Sequence, residues 1–119
     1  MSGFTRQERL KSRKTIGRLM KEGHTYMAYP LRVSWLEGCD DAGGTQVAVS
    51  VPKRHFKTAV QRNRLKRRIR EAYRLHKEEW YARLGDRPVS LMLMYIAKEE
   101  LPYREIEAGI AKMIRKFSD

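Results

Sequence analysis

Acidic residues are scarce in this chain. It carries 14 Asp and Glu against 26 Lys and Arg, a net charge of +12. Between residues 53 and 77 Glu71 is the only acid. A one-sided excess of this size points to a polyanionic partner, either nucleic acid or an anionic membrane surface. Cysteine is almost absent too. Cys39 alone excludes an intramolecular disulfide and a multi-cysteine metal site, and it fits a reducing compartment. Its polar surroundings make it a spectator thiol rather than a nucleophile. No apolar run approaches the roughly 18 residues that a bilayer span needs, so no membrane partner is expected. Met1-Ser2-Gly3-Phe4-Thr5-Arg6 has no apolar segment of the signal-peptide kind. The expected location is the cytoplasm.

The usual catalytic patterns are missing as well. His24, His55 and His76 are dispersed, with no His-Glu-x-x-His or Cys/His ligand spacing. Asp40-Asp41, Glu78-Glu79 and Glu99-Glu100 are isolated pairs, not the carboxylate cluster of a two-metal nuclease. There is no glycine-rich phosphate loop and no Ser-His-Asp set. No catalytic residue and no metal ligand is therefore assigned. If the protein takes part in hydrolysis, something else supplies the reacting groups.

What the chain does have is a basic, periodic stretch at 53–77. Leu65, Ile69, Ala72, Tyr73, His76 and Trp80 recur at the spacing of one helix face. Asn63, Lys66, Arg67, Arg70, Arg74 and Lys77 form a second stripe beside it, and Arg64 and Arg68 fall on the opposite flank. The spacing predicts a helix over 59–80 that buries one stripe and shows cations elsewhere. Such cations repel one another within a helix, and phosphate is the anion that would relieve them. His76 reads as a core or boundary residue. His55 lies in the basic loop, in reach of phosphate.

Around this helix the chain reads as one domain, residues 1–119, with 41% hydrophobic residues to build a modest core. Ser12 as N-cap and Gly23 as C′ residue bracket a short helix over 13–22, although Thr5-Arg6-Gln7-Glu8 also matches a capping box. Residues 25–37 alternate as a strand, with Pro30 marking an edge or a break. The segment 38–44 is a hairpin-type loop. A strand covers 46–51, Gly85-Asp86-Arg87-Pro88 is a turn, and the apolar run 89–97 is a strand covered on both faces. Pro102 opens a last helix at its first position. The order is helix, strand, strand, helix, strand, helix: an α/β sandwich of the α+β kind, with a small mixed sheet and a βαβ crossover. The aromatic residues and most methionines sit at core periodicity. Met20 is the exception, on a short basic helix with little to bury.

The run Ala59-Val60-Gln61-Arg62-Asn63-Arg64-Leu65-Lys66-Arg67-Arg68-Ile69-Arg70-Glu71 resembles the "RNR" motif A-V-x-R-N-R-x-K-R-x-x-R-E of the bacterial ribonuclease P protein subunit family. Ser50-Val51-Pro52-Lys53-Arg54 resembles that family's preceding strand end. Arg9-Leu10-Lys11 and Lys21-Glu22-Gly23 resemble its first helix. The resemblance covers nearly the whole chain.

It implies a protein subunit of an endoribonuclease that removes the 5′ leader of precursor tRNA. The RNA subunit carries the active site, and Mg²⁺ is held mainly by that RNA and the substrate. The implied partners are ribonuclease P RNA, at one copy each, and precursor tRNA, with no protein partner required. The implied RNA contacts are Lys53, Arg54, Arg62, Asn63, Arg64, Lys66, Arg67, Arg70 and Arg74, with Asn63 able to cap the helix or bond a backbone group. The implied leader cleft involves Ile16, Met20, Arg32 and Ser34. The family commonly has aromatic or apolar residues there, so stacking gives way to a phosphate contact from Arg32. The implied crossover is left-handed, against the ordinary rule.

A generic RNA-binding or ribosomal-type protein is the alternative, and it explains the charge without the extended motif. A DNA-binding protein would need a helix-turn-helix partner for helix 59–80. A metal-dependent nuclease acting alone would need the missing carboxylates.

Overall fold

The computed structural model describes residues 13–37, 45–85 and 87–117. The expected capping box at Thr5, the Ser12 cap, Arg9-Leu10-Lys11, the 38–44 loop with Cys39 and the Asp40-Asp41 pair, and Asp86 lie outside the described residues. The elements in order are α1 (Arg13–Glu22), β1 (His24–Ala28), β2 (Leu31–Glu37), β3 (Thr45–Ser50), α2 (Ala59–Leu75), α3 (Lys77–Leu84), β4 (Val89–Tyr95) and α4 (Tyr103–Lys116). The strands form one sheet in the order β1-β2-β4-β3. β2 is antiparallel to both β1 and β4, and β3 runs parallel to β4, so the sheet is mixed. The α+β class, the mixed sheet and the βαβ unit agree with the sequence.

Two elements differ from the sequence reading. The stretch 25–37 is two strands, because Pro30 has no N–H for a ladder and the chain reverses at Tyr29-Pro30, a cis peptide bond. Pro30 instead accepts from the Ile96 N–H at 2.9 Å. That bond continues the β2–β4 register by one step, and β4 ends at Tyr95 rather than Ala97. The helix over 59–80 is two helices that meet at His76 (φ −107, ψ 12). His76 Nδ1 lies 3.0 Å from Glu79 and Nε2 lies 3.2 Å from Glu107 of α4. Smaller differences are at boundaries. Pro102 is the N-cap of α4 rather than its first helical residue, and α3 ends at Gly85, whose φ of 78 suits only glycine.

Alternation along the strands separates two faces. Val33 and Trp35 of β2, Val47 of β3, and Val89, Leu91 and Leu93 of β4 join Leu65, Ile69, Ala72, Tyr73 and Trp80 and, from α4, Ile106, Ile110 and Met113. Full burial of one such aliphatic side chain contributes about 1.5–3 kcal/mol, which explains why β4, central in the sheet, is apolar apart from the buried Ser90. The other face is covered by α1, where Leu19 packs on Met92 with Ile16, Leu36 and Ala48 beside them. The stripe read from the sequence of α2 is buried as expected, save that His76 keeps 20% of its side chain exposed.

α4 carries a mid-helix glycine for a packing reason. A Cβ on Gly109 would lie 2.7 Å from Pro30 Cδ, 3.1 Å from the Tyr29 carbonyl and 3.3 Å from the Ala28 carbonyl. Alanine would gain about 1 kcal/mol of helix propensity, but overpacking costs about 1–3 kcal/mol. Two of the three obstructing atoms are backbone, and the turn is pinned by Ile96. Gly109→Ala is therefore expected to lose about 1–2 kcal/mol, read as a lower urea midpoint at unchanged slope.

The same interface sets an alkaline limit. Tyr26 donates to the Met113 carbonyl at 2.9 Å. Burial pushes its hydroxyl well above the ordinary value of 10.0, against the opposing charge of Arg83. The folded state thus holds this proton after the unfolded chain releases it. The stability it contributes is whole below pH 10 and falls as pH rises beyond that. Tyr26→Phe should flatten the loss of stability between about pH 10 and pH 11, measured by urea unfolding at each pH. An unchanged alkaline limb would assign the loss to other groups.

Candidate nucleic-acid interface

β3 and β4 are parallel, and Leu31 of β2 pairs with Tyr95 at the end of β4. One end of the sheet therefore gathers the 29–30 turn, the segment 51–58 after β3, the segment 96–102 after β4 and the start of α2. Thr58 is the N-cap of α2, its Oγ1 accepting from the Gln61 N–H at 3.2 Å. Asn63 does not cap the helix; it lies in the second turn and is exposed. Among the first-turn residues of α2 there is no acid, so the positive end of the helix dipole adds to the side-chain charge there.

The 51–58 segment is anchored by Phe56. Its ring is buried against Tyr95 at 5.6 Å, and its carbonyl accepts from Arg62 Nη1 at 2.7 Å. Arg62 is thus half-buried and fixes the loop. Lys53, Arg54, His55 and Lys57 around that anchor are exposed.

The remaining sequence-predicted cations divide by what they already touch. Arg74 is paired with Glu71, Nε to Oε1 at 3.0 Å, and its hydrogen bond holds the Glu71 carboxyl below the ordinary range. Arg70 is half-buried and engaged within the chain. Arg64 binds Glu100 with two N–H groups, and Arg68 donates to the Leu101 carbonyl at 2.9 Å. Among the described residues, Lys66 and Arg67 have no ion-pair partner. On α2 and the segment before it, the charge available to a polyanion therefore lies in Lys53, Arg54, Lys57, Lys66 and Arg67.

The second face lies between α1 and the sheet. Ile16 is half-buried beside Leu19 and Met92. Met20 is 58% exposed. Arg32 is exposed and in register with Met27 on one side and Met94 on the other. Ser34 is buried, its hydroxyl 3.3 Å from that of Thr25. The open row is thus Met27, Arg32 and Met94, with Met20 on the helix above the sheet. Met27, Phe56, Arg68 and Glu100 were not legible as site residues. Period-2 alternation could have found Met27. The Arg–Glu100 contacts join segments 36 residues apart, which no local pattern reveals.

Among the described residues, no group of three or more His, Cys, Asp or Glu side chains is placed to hold a metal ion. The donors among the described residues do not fit a resident Mg²⁺. No described helix is long and apolar enough to cross a membrane.

Known proteins resemble this architecture and this sequence along most of their length. The sequence model of the family described as Ribonuclease P matches residues 4–118. A ribonuclease P protein component of Porphyromonas gingivalis is 36% identical over 119 residues, covering 98% of this chain and 87% of the relative. That of Finegoldia magna is 30% identical over 112 residues, covering 93% and 91%. Among solved structures, RNase P protein from Thermotoga maritima superposes with a TM-score of 0.75 at 19% identity, covering 94% of this chain and 99% of that one. The Staphylococcus aureus RNase P protein gives 0.71 at 22%, covering 91% and 93%. A mixed sheet of this fold, a basic α2 carrying the extended motif and a family match across nearly all residues converge: the chain belongs to the ribonuclease P protein component family.

Proposed function

We propose that this protein is the cytoplasmic protein subunit of a ribonuclease P holoenzyme, one copy on one ribonuclease P RNA, with no second protein required. Lys53, Arg54, Arg62, Asn63, Arg64, Lys66, Arg67, Arg70 and Arg74 form the face toward that RNA, as a single RNA-binding domain. The 5′ leader of precursor tRNA passes between α1 and the sheet, along Ile16, Met20, Arg32 and Ser34. The RNA subunit carries the active site and, with the substrate, the Mg²⁺ ions that the cleavage needs. This chain's own residues bind and orient; none of them reacts.

The observation that carries the reading is the set of cations without an ion-pair partner among the described residues, Lys53, Arg54 and Lys57 before α2 and Lys66 and Arg67 on the motif itself. Arginine forks suit phosphate oxygens, and the exposure of Arg54 and Arg67 suits exchange of counterions for RNA. The test is cleavage of a precursor tRNA at low Mg²⁺ with bacterial ribonuclease P RNA, with the protein, and with both. Cleavage restored only by both is expected. Stimulation absent with a competent RNA and a folded protein would leave a basic RNA-binding protein of another target, and cleavage by the protein alone would return the chemistry to the chain.

Met20 probes the leader face better than Ile16, because Ile16 also packs on Leu19 and Met92. Met20→Ala removes exposed apolar contact worth about 0.8 kcal/mol per CH₂ covered. It is expected to weaken holoenzyme binding of leader-bearing precursor about 3- to 10-fold. Binding of mature tRNA and of the RNA subunit should not change. Equal loss for all three would remove Met20 from the leader path.

A further inference from the structure

Arg64 and Arg68 stand one helical turn apart on the flank of α2 that faces the segment after β4. The Glu100 carboxylate lies between them. Arg64 meets it with two parallel N–H groups, Nε to Oε2 and Nη2 to Oε1, the latter at 3.0 Å. Arg68 Nη1 lies 3.3 Å from Oε2, and its bond to the Leu101 carbonyl fixes the guanidinium against backbone. The hydrogen bond from Arg64, helped by the charges of both arginines, holds the Glu100 carboxyl below the ordinary range. A fork from one arginine and a second arginine from the side is also how two arginines hold the oxygens of a phosphate. The Arg64 side chain remains 45% exposed while Glu100 is 24% exposed, so an anion from solvent can reach the fork.

The backbone that presents Glu100 does not depend on its carboxylate. The Tyr95 hydroxyl donates to the Glu99 carbonyl at 2.7 Å and accepts from the Leu101 N–H at 2.9 Å. The Ile96 N–H is bound to Pro30. The side chain can therefore leave the arginines while the segment stays in place.

We propose that Arg64 and Arg68 form a seat for one RNA phosphate, which Glu100 fills in the free protein and gives up when RNA binds. The inference rests on the reading that α2 faces RNA, and it adds Arg68 and Glu100 to that face. In the free protein the carboxylate offsets the repulsion of two cations at i and i+4 and keeps their forks converged on one point. It also lowers the affinity of the seat for stray anions, since any ligand must displace it. An RNA that engages several other cations at once meets that cost; a lone phosphate does not.

The test compares Glu100→Gln with the wild-type protein for binding to ribonuclease P RNA over a range of salt. Glutamine keeps the shape and removes the competing charge. Glu99→Gln removes an equal charge from the neighbouring side chain, which touches neither arginine. Glu100→Gln is expected to bind tighter at low salt, with a slope of log K against log salt steeper by about 0.7–0.9. Its advantage should shrink about threefold between roughly 50 and 200 mM salt. Glu99→Gln should show less than half of that change, and Glu100→Gln should have no effect in an Arg64→Ala, Arg68→Ala background. Unchanged or weaker binding by Glu100→Gln would make Glu100 a strut and overturn the proposal, and an equal gain from Glu99→Gln would reduce it to bulk charge. Absence of binding by the wild-type protein would overturn the reading of α2 itself, an outcome distinct from both.

Discussion

Trp80→Ala is expected to cost about 3–5 kcal/mol of folding stability, the range for truncating a fully buried aromatic. Trp80 is fully buried in the main core. Its ring meets Phe117 edge-on at 4.8 Å, and Phe117 meets Trp35 at 4.8 Å, so α3, the end of α4 and β2 share one aromatic contact line. Its Nε1 donates to Thr45 Oγ1 at 2.9 Å, while the Thr45 N–H donates to the hydroxyl of Tyr81 at 3.1 Å. α3 thus holds the start of β3 by two hydrogen bonds. Alanine would open a cavity and strip the buried Thr45 hydroxyl of its donor at once. A domain of this size has about 5–15 kcal/mol in total, so the variant should be substantially destabilised at 37 °C. Trp80→Phe keeps most of the volume and loses only the donor, for about 1–3 kcal/mol. Urea unfolding ranks the two. If Trp80→Phe folds normally but loses RNA affinity, Trp80 is a stacking platform, and its burial in the free protein is not its working state.

Why the core was legible and part of the chain path was not follows from the range of the interactions. Leu65, Ile69, Ala72, Tyr73 and Trp80 announce their face by spacing alone, because a helix maps period directly onto a side. The β4 run announces a two-sided strand because no charged residue and only Ser90 among polar ones interrupts it. The division at His76 has no such mark: Leu75-His76-Lys77 contains neither glycine nor proline. What holds His76 there is Glu107, on another helix and 31 residues away. The reversal at Pro30 left a mark, but the mark fits a break as well as an edge strand, and only the pairing of Ala28 with Leu31 decides it.

The site divides in the same way. Charge density and the extended motif are properties of consecutive residues, so the basic helix was visible. Which cations remain available is a property of the fold. Arg62 is spent on the Phe56 carbonyl, and Arg74 on Glu71. Arg64 looks in the sequence like any other member of the motif and is in fact bound to Glu100. The family resemblance puts Ser34 with the cleft residues, yet its side chain is buried, with its hydroxyl beside that of Thr25.

The double variant Lys66→Ala, Arg67→Ala is expected to lower the salt slope of RNA binding by about 1.4–1.8, two phosphate contacts at 0.7–0.9 each. If both proteins converge near 1 M salt, this is a loss of roughly 25- to 60-fold at about 0.1 M. The size of the effect depends on these side chains having no anion of their own to return to. Neither forms an ion pair within the described structure, so each brings its full complement of released counterions to the complex. Stability should hardly move, because Arg67 is exposed and Lys66 lies beside the buried stripe without joining it. The comparison that gives the number meaning is Arg104→Ala with Lys112→Ala, two exposed cations of α4. It removes equal charge from the chain but none from α2, and should leave the slope within about half a unit. Equal losses from the two pairs would mean that RNA senses only the net charge of the protein. A loss confined to Lys66 and Arg67 would mean that α2 lies on phosphate, with the buried stripe fixing which of its faces does so.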